Sequence, residues 1–213
     1  MVDGIDKFIE QLEAADVPSN VYNQYSDDYS ESFIRRRNLK IYLRQIEKIR
    51  PKMILIGEAP GYRGSRLTGV PFTSEHLLMH NKEGLTLFGR ENGYQLPVEK
   101  ETLLKEATAT IIWETMLKDE LAFLSWNAFP FHPYKADKEK SNRTPTKKEL
   151  FIGEPFFLDL IQLYQIEEVV AMGNKAYESL TKLEIACQKV RHPAQGGKKQ
   201  FTEGIRQIKE SLK

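Results

Sequence analysis

Residues 54–75 read Ile54-Leu55-Ile56-Gly57-Glu58-Ala59-Pro60-Gly61-Tyr62-Arg63-Gly64-Ser65-Arg66-Leu67-Thr68-Gly69-Val70-Pro71-Phe72-Thr73-Ser74-Glu75. The apolar run at its head suits a buried parallel strand. The Gly and Pro residues that follow dictate an irregular turn at the strand's carboxyl end, where open α/β sheets place their ligands. Glu58 and the ring of Phe72 are thereby delivered to one crevice. Such a crevice suits a flat, polar ring.

Outward from this stretch, helical and strand signals alternate. Ile5, Phe8, Ile9 and Leu12 are spaced for one helix face. A polar, Tyr-rich linker follows, in which Asn20, Asn23, Ser26, Asp27 and Asp28 argue against regular structure. Residues 31–50 form a basic amphipathic helix whose Arg35-Arg36-Arg37 run meets phosphate or, more commonly for such runs, makes a solvated face. After the strand at 53–56, Thr73 or Ser74 caps a short helix over 74–80. A polar, Gly-bearing loop covers 81–98, a helix 99–118 and a second strand 121–126. Thr146 and Glu149 fit a capping box that starts a helix running to about Tyr164. Strands at 168–172 and 187–191 alternate with helices at 174–182 and 199–212. The alternation predicts an α/β fold: a three-layer α/β/α sandwich around a four-stranded parallel sheet. Residues 1–213 are expected to make one domain, with 1–50 as an N-terminal helical segment.

Composition narrows the function classes only locally. A net charge of +1 gives no global attraction to a polyanion, so any nucleic-acid surface must be a patch. Cys187, the single cysteine, cannot form an internal disulfide or ligate an iron–sulfur cluster, and reads as a small buried hydrophobe rather than a nucleophile. No apolar run is long enough to span a bilayer, and no signal segment is recognised. The expectation is a cytoplasmic monomer with no membrane partner, no metal and no cofactor.

In a parallel sheet the four strands aim their carboxyl ends at one rim. Those ends read Gly57-Glu58-Ala59-Pro60-Gly61, Asn127-Ala128-Phe129-Pro130, Gly173-Asn174-Lys175 and His192-Pro193-Ala194. Glu58 hydrogen-bonds a base edge or polarises a water, or else caps a turn at the surface. Asn127 carries a donor and an acceptor that match an amide-like ring edge, or else forms a turn. His192 donates to an oxygen that gains negative charge, or is a structural loop histidine. Phe72 stacks on a ring or packs in the core. His132 reads as structural.

These motifs, in this order, resemble the uracil-DNA glycosylase superfamily: Gly57-Glu58-Ala59-Pro60-Gly61 with Gly69-Val70-Pro71-Phe72, then Asn127, Asn142-Arg143-Thr144-Pro145 with Glu149, Met172-Gly173-Asn174-Lys175-Ala176, and His192-Pro193. The first, third and fourth are most similar to the family-four and family-five branches, and the resemblance covers about residues 50–212. It implies hydrolysis of the N-glycosidic bond of a flipped-out base in DNA, single- or double-stranded, leaving an abasic site. Glu58, Asn127 and His192 are then the catalytic candidates. Gly57, Ala59, Pro60, Gly61 and Phe72 form the base pocket, with Phe72 stacking on the base and Asn127 reading its amide edge. Arg143, Gln195, Gly196, Gly197 and Lys198 meet DNA. Gln195 plugs the hole left by the base, and a second basic run, Lys135, Lys138, Lys140, Lys147 and Lys148 around Arg143, grips the backbone.

Three departures set the chain apart from the family pattern. Those two branches hold an iron–sulfur cluster on four cysteines, which this chain lacks. Ala59 stands where the best-known branch has a water-activating Asp, and Gly61 where that branch has a tyrosine that excludes 5-methyl bases. Uracil is the default substrate, with thymine, a modified pyrimidine or a deaminated purine as competitors. Residues 81–120 match no family pattern. A non-catalytic sensor of modified or damaged bases on the same fold is the alternative from another class. A nucleotide-binding protein ranks last, because no phosphate-loop glycine pattern occurs.

Overall fold

The computed structural model describes residues 3–80, 86–119 and 121–212. The beginning of the expected 81–98 loop, residues 81–85, lies outside the described residues.

Helix α1, Gly4–Glu13, is capped by Asp3, whose carboxylate accepts from the Ile5 amide at 2.9 Å. Strand β1, Val21–Tyr22, follows, then α2, Ser32–Ile49. Strand β2, Met53–Gly57, is buried along its whole length, as its uninterrupted apolar run requires. The long connection out of β2 holds two short helices, α3 (Ser65–Thr68) and α4 (Glu75–Met79), then α5, Ala107–Lys118. Strand β3, Leu124–Asn127, and β4, His132–Pro133, precede α6, Lys147–Tyr164. The chain closes with β5 (Glu168–Met172), α7 (Gly173–Lys182), β6 (Gln188–Val190) and α8 (Lys198–Ser211).

The main sheet has order β3-β2-β5-β6 and every pairing is parallel. The register sets Gly57 beside Asn127 and Ile56 beside Ala171. Successive strand residues face opposite layers. Trp126 meets Phe8 of α1, which also packs on Phe156 of α6. Ser125, on the other face, meets the Tyr42 hydroxyl of α2 at 2.8 Å, and Tyr42 packs edge-on against Trp113 of α5. Helix α8 joins that second layer, through Thr202 on Thr115 and Arg206 on Asp119. The expected three-layer sandwich around four parallel strands is what the chain forms. Strand order reverses beside β2, which puts the topological switch point at its carboxyl end. Among the described residues no helix is long and apolar enough to cross a membrane.

Three local expectations are corrected. The helix expected over 99–118 begins only at Ala107. The buried Glu75 carboxylate accepts from Lys100 Nζ at 2.6 Å and from the Leu104 amide at 3.1 Å, which ties the preceding segment to α4 and leaves Glu106 as the cap. The linker expected to lack regular structure contains β1, which pairs antiparallel with β4. The turn after β2 contains α3, hidden in a Gly- and Arg-rich stretch with no apolar period.

Candidate active site

A cavity of about 670 Å³ opens at the carboxyl ends of the strands. Its lining includes Gly57, Glu58, Ala59, Gly61, Phe72, Asn127, His192 and Gln195 from the expected set. Sheet register and close packing together explain why these groups meet.

A Cβ added to Gly57 would stand 2.6 Å from Asn127 Oδ1 and 2.7 Å from the Phe72 ring. Only glycine allows that approach. Phe72 itself sits at φ +52°, a left-handed conformation that costs a bulky residue about 1–3 kcal/mol. The conformation is held by Trp113 Nε1, which donates to the Phe72 carbonyl at 2.9 Å. Neighbouring Thr73 donates to the Val70 carbonyl at 2.7 Å. The side chain of Asn127 is buried, yet no described residue hydrogen-bonds its carboxamide. Its donor and acceptor are therefore available to a ligand.

His192 follows β6 and packs on Gly173, where a Cβ would come within 2.9 Å of the His192 Cβ. Gly173 is at φ +85°, so two separate constraints demand glycine there. The Ala194 amide donates to His192 Nδ1 at 3.1 Å. A ring nitrogen that accepts carries no proton, so the neutral ring carries its hydrogen on Nε2. Burial pushes the His192 pKa below its ordinary value; Glu106 opposes this, and Arg191 reinforces it. The net result favours a neutral Nε2–H donor.

Glu58 has one oxygen, Oε1, enclosed without a hydrogen-bond partner among the described residues, and the other 3.7 Å from Lys175 Nζ. Pro60 is buried behind the cavity rather than lining it. Its carbonyl lies 2.7 Å from Nδ1 of the fully buried His132, which fixes the turn from below. Burial lowers the His132 pKa against the pull of those carbonyl contacts.

The DNA-contact candidates divide. Gln195 and Gly196 are consecutive left-handed residues at φ +53° and +77°, closed by Gly197 N–H on the Ala194 carbonyl at 3.1 Å. This tight turn presents an exposed Gln195 at the cavity. Gly196, Gly197 and Lys198 flank the cavity without lining it, and Lys198 is paired with Glu114 at 3.0 Å. Arg143 is not brought to the cavity. Its guanidinium holds Glu149 in a two-pronged pair at 2.7 and 2.6 Å and also donates to the carbonyls of Tyr134 and Asn20. Burial would raise the Glu149 pKa, but Arg143 and the Thr146 amide outweigh it and hold it low. Arg143→Met is therefore expected to cost about 3 kcal/mol in urea unfolding. Lys135, Lys138, Lys140, Lys147 and Lys148 are exposed, away from the cavity lining. Of the α2 arginines, Arg35 is buried on the Tyr22 hydroxyl and Arg36 pairs with Glu13 and Asp27.

Several lining residues lay outside the expected set, Glu106 and Asn142 among them. Glu106 caps α5, accepting from the Thr108 and Ala109 amides at 2.9 and 2.6 Å. An acidic residue directly before the helical run was the available signal, concealed by an early helix start. Asn142 Oδ1 accepts from the Tyr62 amide at 3.1 Å and ties the turn after β2 to the loop before α6.

No curated protein sequence matches this chain. The crystal structure of wild-type SMUG2 from Pedobacter heparinus shares its fold at a TM-score of 0.61 and 16% identity, over 100% of this chain and 99% of that one. The family model of the uracil DNA glycosylase superfamily matches residues 44–209, which takes in every wall of the cavity. With most of its length matched, the chain belongs to the uracil DNA glycosylase superfamily.

Proposed function

We propose that this protein is a monofunctional DNA glycosylase that hydrolyses the N-glycosidic bond of uracil, or of a related deaminated or modified base, and leaves an abasic site. The observation that carries the reading is one cavity holding an aromatic ring, a carboxamide with no hydrogen-bond partner among the described residues and a histidine whose Nδ1 accepts from a backbone amide. The target base leaves the helical stack to enter it. Phe72 stacks on the base and Asn127 reads its amide edge. As the bond breaks, His192 donates to the oxygen on which negative charge collects, a contribution of about 3 kcal/mol. Glu58 faces the oxocarbenium-like sugar or orients water, and Gln195 enters the gap in the stack. In its Gly57–Gly61 run the chain resembles families four and five, without their cysteines.

The choice of base turns on Gly61. Among the described residues a Cβ there would meet Asn142 Nδ2 alone, at 3.8 Å, which supports a pocket wall open to a 5-substituent. Single-turnover incubation with oligonucleotides carrying uracil, hypoxanthine, mismatched thymine or hypermodified pyrimidines tests the reading. Alkali-labile abasic sites are expected from uracil and from at least one 5-substituted pyrimidine. Salt-sensitive binding of a modified base with no cleavage would replace the enzyme by a sensor.

A further inference from the structure

Three cations from three strand ends rim the cavity: Arg63 after β2, Lys175 in the first turn of α7 and Arg191 after β6. All three are exposed. Arg63 lies over the Tyr62 ring at 5.3 Å, and neither it nor Arg191 has a carboxylate partner among the described residues. This distinguishes them from Arg143 and Lys198, which are already paired. Lys175 is intermediate. Its ammonium donates to Thr144 Oγ1 at 3.2 Å and stands 3.7 Å from Glu58 Oε2, spanning from the turn after β2 to the loop before α6.

The Lys175–Glu58 pair is asymmetric. Glu58 has 19% of its side chain exposed and an enclosed Oε1 with no hydrogen-bond partner among the described residues, whereas Lys175 is 67% exposed. A pair at 3.7 Å is too long for a hydrogen bond, and solvent screens it from the lysine side. A phosphate offers the same ammonium a stronger, charge-assisted contact and releases counterions in doing so. Lysine, with three rotatable donors on a flexible stem, can change partners without moving the backbone.

Resting on the glycosylase reading, we propose that Lys175 is a shared counter-ion: it neutralises Glu58 in the free protein and passes to a backbone phosphate when DNA is seated, beside Arg63 and Arg191. The Glu58 carboxylate is then uncompensated only when a nucleotide occupies the cavity. The exchange matches the needs of each state. A masked carboxylate does not repel the incoming polyanion, and an unmasked one faces the sugar as positive charge develops on it. Lys175 is thus a positioning residue that acts through Glu58.

The test uses the full-length protein, Lys175→Met and Lys175→Arg. Binding is measured on a duplex carrying one 2′-fluoro-uridine, which resists cleavage, across about 50 to 200 mM salt. Excision is measured in single turnover on the matching uracil duplex over a range of DNA concentrations. Lys175→Met is expected to lower the slope of log affinity against log salt by about 0.9 and to weaken binding about tenfold at about 0.1 M salt. The half-saturating DNA concentration rises in parallel, and Lys175→Arg restores both values. A slope equal to that of the wild type overturns the proposal. So does a loss confined to the saturated excision rate, because Lys175 would then remain on Glu58 in the complex. Failure of the glycosylase reading is separately visible, as a wild-type protein that cuts no base; the binding slope still reports the phosphate contact.

Discussion

Replacing His192 by alanine should lower the single-turnover excision rate by about 10²–10³-fold, the usual cost of removing a donor from a developing oxyanion. The Nδ1 contact with the Ala194 amide makes the expectation specific, because it commits the neutral ring to donating from Nε2. His192→Gln, which keeps a side-chain N–H, should recover part of the loss. The same contact sets a pH dependence. Burial lowers the folded-state pKa of His192 below that of the unfolded chain, so unfolding takes up protons just below about pH 6.5. The stability contributed by the neutral ring is full above the unfolded pKa and is lost as pH falls toward the folded one. A protonated Nδ1 also cannot accept from Ala194. Urea unfolding at pH 7 and pH 5 should therefore show a smaller acid loss for His192→Ala than for the wild type. Equal rates for the variant and the wild type would remove His192 from the chemistry.

Gly57→Ala should be nearly as damaging, by a different route. The added methyl collides with Asn127 Oδ1 at 2.6 Å and with two atoms of the Phe72 ring at 2.7 and 2.8 Å. Neither neighbour can retreat easily. Asn127 is buried on a backbone fixed by the β2–β3 register, and Phe72 is held by its left-handed backbone and the Trp113 bond. Displacement of about 1 Å in positioning groups costs about 100-fold in rate, and overpacking costs about 1–3 kcal/mol in stability. Excision assays and urea titration of the same variant measure both. A variant with wild-type activity would show that the approach of Asn127 to Phe72 is not needed.

The ends of β2 and β5 were legible because buried parallel strands announce themselves as apolar runs closed by Gly or Pro, as at Ile54-Leu55-Ile56-Gly57. The start of α6 was equally legible, since Thr146 and Glu149 form the capping box that their spacing specifies. Long-range bonds account for most of what was not. Nothing local announces that Glu75 will draw in Lys100 and Leu104 and delay α5. Charge alone marks Arg143 as a free cation, yet the Glu149 that caps the helix also takes its guanidinium. The left-handed turn at Phe72 is opaque for the same reason: its support, Trp113, lies 41 positions away.

The cavity is built from strand ends far apart in sequence, and this has a consequence in time. Asn127 reaches Gly57 only after β3 has paired, and His192 reaches Gly173 only after β6 has joined the sheet. Parallel pairings between such distant segments form late and slowly. During synthesis the chain emerges with Phe72 and Asn127 first and His192 last. On the proposed reading, a nascent chain that already holds Phe72 and Asn127 but not β6 would lack His192, and competence would arrive with the final strand.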